Sequence, residues 1–510
     1  MINYYPDFFN DVFGPVMQPG SSSHTAGPCR LGLLAHSLLQ YELKEIVIEL
    51  DKNGSFAGTF GLMREDLGML SGAYGLSPDD ERMFDIKEIL LAEQISYEFR
   101  FIDFPPGSHP NAVKFILTGK DGKAVSLLGN STGGGMIETV EINGVPCKFI
   151  GDGFLTVCSG KAELPSDARA SITYNNGKSF IIAEKDALPN LSDAEVLFSL
   201  PPILPVCAVF SRKEQLFRDF TGWKNYAEKN NISLAEAAIE YEKRASGLGK
   251  EEIIGRMKLL RLFMREQTES VYKSEENILE DPFSGYHFRN WRDYEQQKKP
   301  LSGEVTALAV HYAFGVQALK RGVKLVPGPM GTGGGYLYSA LRAVSETCGC
   351  SEEGEIEALL VAAGVGAICY SRTNPTGEIL GCTGECGVCG AMAAAAITHM
   401  CGGSPAQVEA AASLMLQASV GWPCDPIPGG QNQPCISRVL TAVTMSITFA
   451  DLALSGKNAV IPFHEVVDEA HKLASEMPAS LKCTSCGGMC ETPAAKKCRK
   501  EFDAYTGQNK

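Results

Sequence analysis

The sequence predicts an α+β N-terminal domain followed by a mainly α-helical C-terminal domain. Three observations predict it. Short Ile- and Val-rich runs, broken by Gly, Pro and Asn, recur through residues 44–185. A Pro-rich stretch, LPPILPVC at 200–207, then punctuates the chain. From about residue 210 the apolar residues recur at helical spacing, and Ala-rich segments such as AMAAAAITHM and EAAASLMLQASV replace the strands. Three parts follow: an α/β domain at 1–148, a small α+β insert at 149–207, and a helical domain at 208–510.

The elements follow in order. SSSHTAGPCRLGLLAHSLLQYEL starts as a Ser- and Gly-rich loop and runs into an apolar-periodic helix. KEIVIEL is a strand. LLGNSTGGGMIETVEI sets a glycine run before an alternating strand pattern. FLTVC, ASITYN and KSFIIAEK are short strands of the insert. In the helical part, Ser233 with Glu236 forms a capping-box pattern ahead of Leu234, Ala237, Ala238 and Tyr241. SPAQ gives a second start, with Ser404 as N-cap, Pro405 at the first helical position and Gln407 as the capping partner. Small residues on all faces of the Ala-rich segments predict tightly packed, buried helices.

Bulk properties exclude several classes. A net charge of −14 argues against a nucleic-acid surface and offers no basic patch to anionic lipid. No run of about 18 uncharged apolar residues stands out, so no membrane span is predicted. The opening MINYYPDFFNDVFGP puts no basic region ahead of an apolar one, which predicts no signal peptide and a cytoplasmic location. Of 17 cysteines, 13 lie in residues 341–510. Clustered thiols in a reducing compartment read first as metal ligands or redox groups. Cys29, Cys147, Cys158, Cys207, Cys369 and Cys401 each lie alone and are expected to be buried small hydrophobes.

The most informative thiols are Cys382 in LGCTGECG, and Cys424 and Cys435 in WPCDPIPGGQNQPCISR. The last two sit 11 residues apart, with Pro and Gly between them. Pro and Gly forbid helix or strand there, so the segment is a rigid irregular loop with a thiol at each end. Such a loop can aim two thiolates at one metal centre while Cys382 approaches from another element. Three thiolates leave one iron of a four-iron cluster open, and an open iron is a Lewis acid. Cys382, Cys386 and Cys389 also make C-x3-C-x2-C, the spacing of a radical-SAM cluster loop, although Ala-rich helix follows it. Cys483, Cys486, Cys490 and Cys498 form a thiol-rich tail that could hold zinc or a second cluster, or cap the open iron.

Other segments suit an anionic ligand. Ser21–Thr25 reads SSSHT between Gly20 and Gly27, and hydroxyls with N–H groups at a helix start favour a carboxylate or phosphate. The plainer alternative is an N-cap and a loop. HPN at 109–111 and STGGG at 131–135 are weak alone, an ordinary loop and a turn. GPMGTGGGY at 328–336 lacks the Lys-Ser/Thr of a phosphate-binding P-loop and the acidic partner of a dinucleotide fingerprint.

Taken together and in order, PGSSSHTAGPCRLG, HPN, STGGGMIE, GCTGECG, GGSPAQVEAA, CDPIPGGQNQPCISR and ETPAAKK resemble the iron–sulfur L-serine dehydratases. The resemblance covers nearly the whole chain. A part similar to the β type comes first, then a degenerate ACT-like insert, then a part similar to the α type from about residue 213. Its most specific element is the trio Cys382, Cys424 and Cys435, with separations of 42 and 11. The resemblance implies an oxygen-sensitive 4Fe-4S cluster on those three cysteines, no pyridoxal phosphate, and conversion of L-serine to pyruvate and ammonia. It implies a substrate carboxylate docked on Ser21, Ser22, Ser23 and Thr25, with Asn111, Ser131, Gly133 and Gly134 also binding substrate. Where the family carries His-Gly-Thr-Asp this chain reads GTFGLMREDLGML, which leaves His24 and His109 as candidate bases. Cys483 stands where the family has the Glu of a Glu-Thr-x-x-Gly-Gly pattern, and SRTNPTGEIL brings Arg372 and Glu378 ahead of Cys382. The expected partners are a small amino or hydroxy acid and a second copy in a homodimer, with no nucleic acid and no membrane. A sister lyase on threonine, cysteine or a hydroxycarboxylate is one alternative; a radical-SAM-type enzyme or a cluster-bearing redox or sensing protein is the other.

Overall fold

A computed structural model describes residues 5–161, 168–174, 177–183, 195–206, 214–329 and 331–506. The chain divides into two compact units. The first comprises 1–10, 20–215 and 244–247; the second comprises 11–19, 216–243 and 248–510.

In the first unit, α1 (Gly27–Leu39) precedes β1 (Leu43–Asp51), and α2 (Ser55–Thr59), α3 (Glu65–Tyr74) and α4 (Ile86–Ala92) lead to β2 (Ser96–Ile102). Strands β3 (Ala112–Gly119), β4 (Ala124–Gly133), β5 (Met136–Ile142) and β6 (Val145–Pro146) complete a six-stranded sheet of order β2-β1-β3-β4-β5-β6. Only β1 and β2 run parallel. A parallel pair needs a crossover, and the three short helices between the two strands supply it. The Ile- and Val-rich run of β1 buries Ile46, Ile48 and Leu50 in a core shared with Leu31, Leu34 and Leu38 of α1 and Met69 and Leu70 of α3. Helices α1 and α3 cross at backbone contact: a Cβ on Gly72 would stand 1.9 Å from the Cys29 carbonyl oxygen. That crossing fixes the start of α1, where the serine-rich turn sits.

The insert contributes a second, antiparallel sheet of order β10-β7-β9-β8, from β7 (Phe154–Ser159), β8 (Ala168–Tyr174), β9 (Lys178–Ala183) and β10 (Glu195–Leu200). Among the described residues of 149–207 no helix occurs, whereas an α+β insert was the expectation. Residues 162–167, 175–176, 184–194 and 207, and with them Cys207, lie outside the described residues.

The second unit is helical. It holds α5 (Phe220–Asn230), α6 (Leu234–Ser246) as far as Lys243, α7 (Lys250–Lys273), α8 (Phe288–Gln297), α9 (Glu304–Gln317) and α10 (Gly333–Cys348). It continues with α11 (Glu352–Tyr370), α12 (Gly377–Leu380), α13 (Val388–Met400), α14 (Pro405–Ser419), α15 (Cys435–Leu454), α16 (Phe463–Glu476) and α17 (Pro493–Thr506). Both capping boxes form. The Ser233 N–H donates to Glu236 Oε2 at 3.0 Å and the Glu236 N–H to Ser233 Oγ at 3.1 Å. Ser404 and Gln407 do the same ahead of Pro405. Ala394, Ala395 and Ala396 of α13 are all 0% exposed, because α10, α11, α14 and α15 surround that helix. Small side chains let the four neighbours close in.

One helix among those described, α15, passes a test of length and hydropathy for a membrane span. The sequence test required an uncharged run, and α15 carries Arg438 and Asp451. It packs against α9, α10, α13 and α14, and 33% of the tested window is buried.

Candidate functional site

Each unit carries one candidate site. In the first, Ser22–Ala26 winds as a single π-helical turn that runs straight into α1. Ser21 caps it: its Oγ accepts the His24 N–H at 3.2 Å and its carbonyl accepts the Thr25 N–H at 2.8 Å. The His24 ring is fully buried. Its Nδ1 lies 2.9 Å from Ser23 Oγ and its Nε2 lies 2.9 Å from Ser55 Oγ. A neutral imidazole donates from one nitrogen and accepts at the other, so one of the two serines donates and the other accepts. Ser131 Oγ donates to the Ser23 carbonyl at 2.7 Å, and the Thr25 hydroxyl donates to the Met63 carbonyl.

The other predicted residues of this unit take plainer places. Asn111 is buried; its N–H donates to His109 Nδ1 at 3.1 Å, and its carbonyl accepts the Ser131 N–H at 3.0 Å. That second bond joins the HPN loop to the strand bearing Ser131. Gly134 and Gly135, with φ of 59° and 78°, form the two-residue connection between Gly133 and Met136, a hairpin turn that favours glycine. The glycine run thus reads as a turn.

Glu65, at the start of α3, is fully buried. Its Oε2 accepts the Gly61 and Met63 N–H groups at 3.0 and 3.1 Å. Burial outweighs those donors and pushes its pKa up to about 8. Thr59 Oγ1 has one proton for two acceptors, the Ser55 carbonyl at 3.0 Å and Glu65 Oε1 at 2.8 Å. A protonated Glu65 donates to Thr59 and satisfies both.

In the second unit, Cys382 stands just before another π-helical turn, Thr383–Gly387, which runs straight into α13. Thr383 Oγ1 donates to the Ser419 carbonyl at 2.7 Å and accepts the Trp422 N–H at 3.0 Å, pinning the turn to the start of the cysteine loop. The loop is irregular, as its Pro and Gly demand, and closes on itself through Ile427 N–H to Gln433 O at 3.1 Å and Gln433 N–H to Gly430 O at 3.0 Å. Its far end, Cys435, opens α15. The thiol-rich tail returns alongside. The Cys424 N–H donates to the Leu481 carbonyl at 2.8 Å, and the Cys483 N–H donates to the Cys424 carbonyl at 2.7 Å. This short parallel bridge sets the Cys483 and Cys424 thiols side by side.

The ligand atoms of Cys382, Glu385 and Cys424 all lie within 4.8 Å of one another. Cys386 is hydrogen-bonded to Cys382, and Cys435 stands within electrostatic reach of Cys382, Glu385 and Cys483. Arg438, one turn into α15, places Nη1 2.6 Å from Asp425 Oδ1, 2.7 Å from the Pro423 carbonyl and 3.7 Å from Cys382 Sγ. Hydrogen bonds from Cys386 and Cys424, together with Arg438, hold the Cys382 thiol well below the usual thiol range. Cys386 and Cys424 move the other way, each giving its proton toward Cys382. Cys424 hydrogen-bonds to Cys382 and Cys483 and lies 4.0 Å from an oxygen of Glu385, whose carboxyl burial pushes well above the usual carboxylate range. A thiophilic cation replaces such shared protons with metal–sulfur bonds, so the donor set suits a metal. Behind the turn lies a narrow apolar crevice lined by Tyr336, Leu337, Cys386, Cys389, Val439 and Val443 among others.

Other thiols part from their sequence groupings. Cys389 leaves the C-x3-C-x2-C set and packs under the Gly-rich loop, where a Cβ on Gly328 or Gly333 would come 3.1 or 2.7 Å from its sulfur. Those glycines serve close packing at the start of α10. Cys490 donates to the Asp425 and Pro426 carbonyls, Cys486 is exposed and donates to the Thr484 carbonyl, and Cys498 is half-buried. Among the described residues these three form no ligand cluster. Cys29, Cys147, Cys158 and Cys369 are buried, but Cys401 is exposed and touches Cys348, which corrects its reading as a buried, solitary residue. Sequence reasoning also missed Glu385, Arg438 and Asp425, whose signal was their place inside the cysteine motifs, and Ser55, which had none.

Comparison with known proteins gives these sites a context. The profile of the serine dehydratase alpha chain matches residues 229–490. The probable L-serine dehydratase alpha chain of Bacillus subtilis is 27% identical over 289 residues, covering 56% of this chain and 95% of that protein. The L-serine dehydratase alpha chain of Peptoniphilus asaccharolyticus is 31% identical over 211 residues, covering 41% of this chain and 72% of that protein. The beta chain from the same organism is 34% identical over 142 residues, covering 28% of this chain and 63% of that protein. With beta-type and alpha-type parts fused in one polypeptide, the chain belongs to the serine dehydratase family, a family of lyases.

Proposed function

We propose that this protein is a 4Fe-4S-dependent L-serine ammonia-lyase that eliminates water and ammonia to give pyruvate. The observation that carries the reading is the convergence of Cys382, Glu385 and Cys424, whose ligand atoms all lie within 4.8 Å of one another, with the Cys382 thiol held well below its usual range. Cys382, Cys424 and Cys435 would hold the cluster. Bound there, it supplies a Lewis acid for the departing hydroxyl of serine. Arg438 orients the Cys382 sulfur, and Asp425 orients Arg438. Cys483 would take the position left open when substrate is absent.

In the first unit, Ser21–Thr25 would bind the α-carboxylate, at the positive end of α1. His24 would take the Cα proton, with Ser23 and Ser55 fixing its ring. His109 is the second candidate; since its Nδ1 accepts the Asn111 N–H, a proton it takes goes on Nε2.

The test is anaerobic reconstitution with iron and sulfide, followed by assay of metal content and of pyruvate and ammonia from L-serine. The wild type is expected to hold iron and sulfide in equal amounts and to form both products. The Cys382→Ser, Cys424→Ser, Cys435→Ser triple variant is expected to hold no iron. An iron-free wild type, or a triple variant that keeps its iron, refutes the cluster assignment. A loaded enzyme that releases keto acid only from threonine, cysteine or a hydroxycarboxylate refutes the substrate.

A further inference from the structure

A second group of thiols stands at the far ends of two helices whose near ends border the metal centre. Helix α10 starts at Gly333, against Cys389, and α13 starts directly after the Thr383–Gly387 turn. At about 1.5 Å per residue, both helices carry their last residues roughly 20 Å away. Cys348 is the last residue of α10; Gly349 follows at φ 68°, and the Cys350 N–H returns to the Ser345 carbonyl at 2.9 Å. Cys401 ends α13, its N–H on the Ile397 carbonyl at 2.9 Å. Helix α10 packs on α13. The Cys401 and Cys348 thiols are in hydrogen-bond contact, with Cys350 close to both. Cys348 and Cys401 are exposed and Cys350 is half-exposed.

We infer that Cys348 and Cys401 form a reversible disulfide that joins the C-terminal ends of α10 and α13. Two S–H bonds break and one Sγ–Sγ bond forms. The two electrons and two protons pass to a small-molecule disulfide, which leaves as two thiols. Both residues are exposed, which admits that reagent, and their side chains are already hydrogen-bonded. The surroundings favour a bond that lasts. Burial, and then the neighbouring cysteines and Asp451, push the Cys401 thiol up to about 11. A thiol of raised pKa is a poor leaving group, so the bond is slow to open once made. The same property makes it slow to form, so it records sustained rather than brief oxidation. The bond would brace two helices that border the metal centre, at a distance where it touches no proposed ligand.

The test uses the full chain under argon, incubated with glutathione disulfide, alkylated and digested for mass mapping. The expected result is a dominant peptide pair linking Cys348 to Cys401, retained in Cys350→Ser and absent from Cys348→Ser and Cys401→Ser. Separate alkylation of Cys348 and Cys401 in the treated wild type overturns the inference, as does a dominant link from either one to Cys350. Covalent mapping needs neither iron nor turnover, so failure of the cluster assignment leaves this result readable.

Discussion

Ser22–Ala26 and Thr383–Gly387 are the same backbone device: one π-helical turn, entered through a residue bearing a short polar side chain and leading straight into a buried helix. What fills the two turns differs. Around the first, Ser21, Ser23, His24, Ser55 and Ser131 are hydroxyls and an imidazole, each bonded to a neutral partner at ordinary distances. Around the second, the thiols of Cys382 and Cys424 crowd together with the Glu385 carboxyl, and the Cys382 thiol is held well below its usual range. On the proposed reading the first site binds substrate and moves protons, and the second takes the metal. Substitutions in the two turns should therefore fail in different ways, and that difference is measurable.

The largest effect separates proton transfer from metal binding. His24→Ala is expected to keep its iron and sulfide while turnover falls by roughly 10²- to 10⁴-fold, the usual worth of a general base. Cys424→Ser is expected to lose both metal and turnover. Parallel metal assays and pyruvate assays check it. If His24→Ala keeps full activity while His109→Ala loses it, the base belongs to the HPN loop; full activity in both removes the histidine assignment.

The next effect is on stability. Asp425 is 1% exposed and holds Arg438 at 2.6 Å and the Met489 N–H at 2.8 Å, so it fastens the cysteine loop, α15 and the tail together. Arg438→Met strands a buried carboxylate, and breaking such a pair costs about 3–5 kcal/mol. Denaturant unfolding should show that loss, with partial recovery in the Arg438→Met, Asp425→Asn double variant. A single variant as stable as the wild type would mean that the pair fastens nothing.

Much of this was legible in the sequence wherever the signal was local. Ser404-Pro405-x-Gln407 specifies its own helix start, and the Pro and Gly between Cys424 and Cys435 specify an irregular loop. Contacts across long separations were not legible. Ser55 meets His24 across 31 residues, and nothing in SFAGTF marks it as a histidine partner. Cys483 reaches Cys424 only because the tail pairs backbone to backbone with the loop, an event with no side-chain signature. Cys386 and Cys389 share a spacing motif and line one crevice, yet Cys386 bonds to Cys382 while Cys389 packs under the Gly-rich loop, and spacing alone does not tell the two apart.

Glu65 sharpens the contrast through pH. Its folded pKa of about 8 lies above the ordinary value of 4.5, so the folded state binds this proton more tightly than the unfolded chain does. Its contribution is fully present below about pH 4.5 and is lost as pH rises through about 8. The slope approaches roughly 1.4 kcal/mol per pH unit at most. Unfolding of the first unit, followed by hydrogen exchange across α3, should show stability falling over that window, and Glu65→Gln should flatten the fall. A flat wild-type profile would mean that the backbone donors outweigh burial after all.

The smallest effect concerns Arg372, which the sequence places ahead of Cys382 where a substrate contact is conceivable. Its guanidinium instead forks onto Asp468, with Nε 2.7 Å from Oδ1 and Nη2 2.5 Å from Oδ2, tying the end of α11 to α16. Both partners are partly exposed, so solvent screens the pair and Arg372→Ala should cost no more than about 1 kcal/mol. Metal content and turnover should stay at wild-type values, because the fork already uses the groups a carboxylate would need. A collapse of turnover at unchanged stability would show that the guanidinium leaves Asp468 for the substrate. Anion binding would then belong to the thiol-bearing unit as well, and the division of labour between the two turns would have to be redrawn.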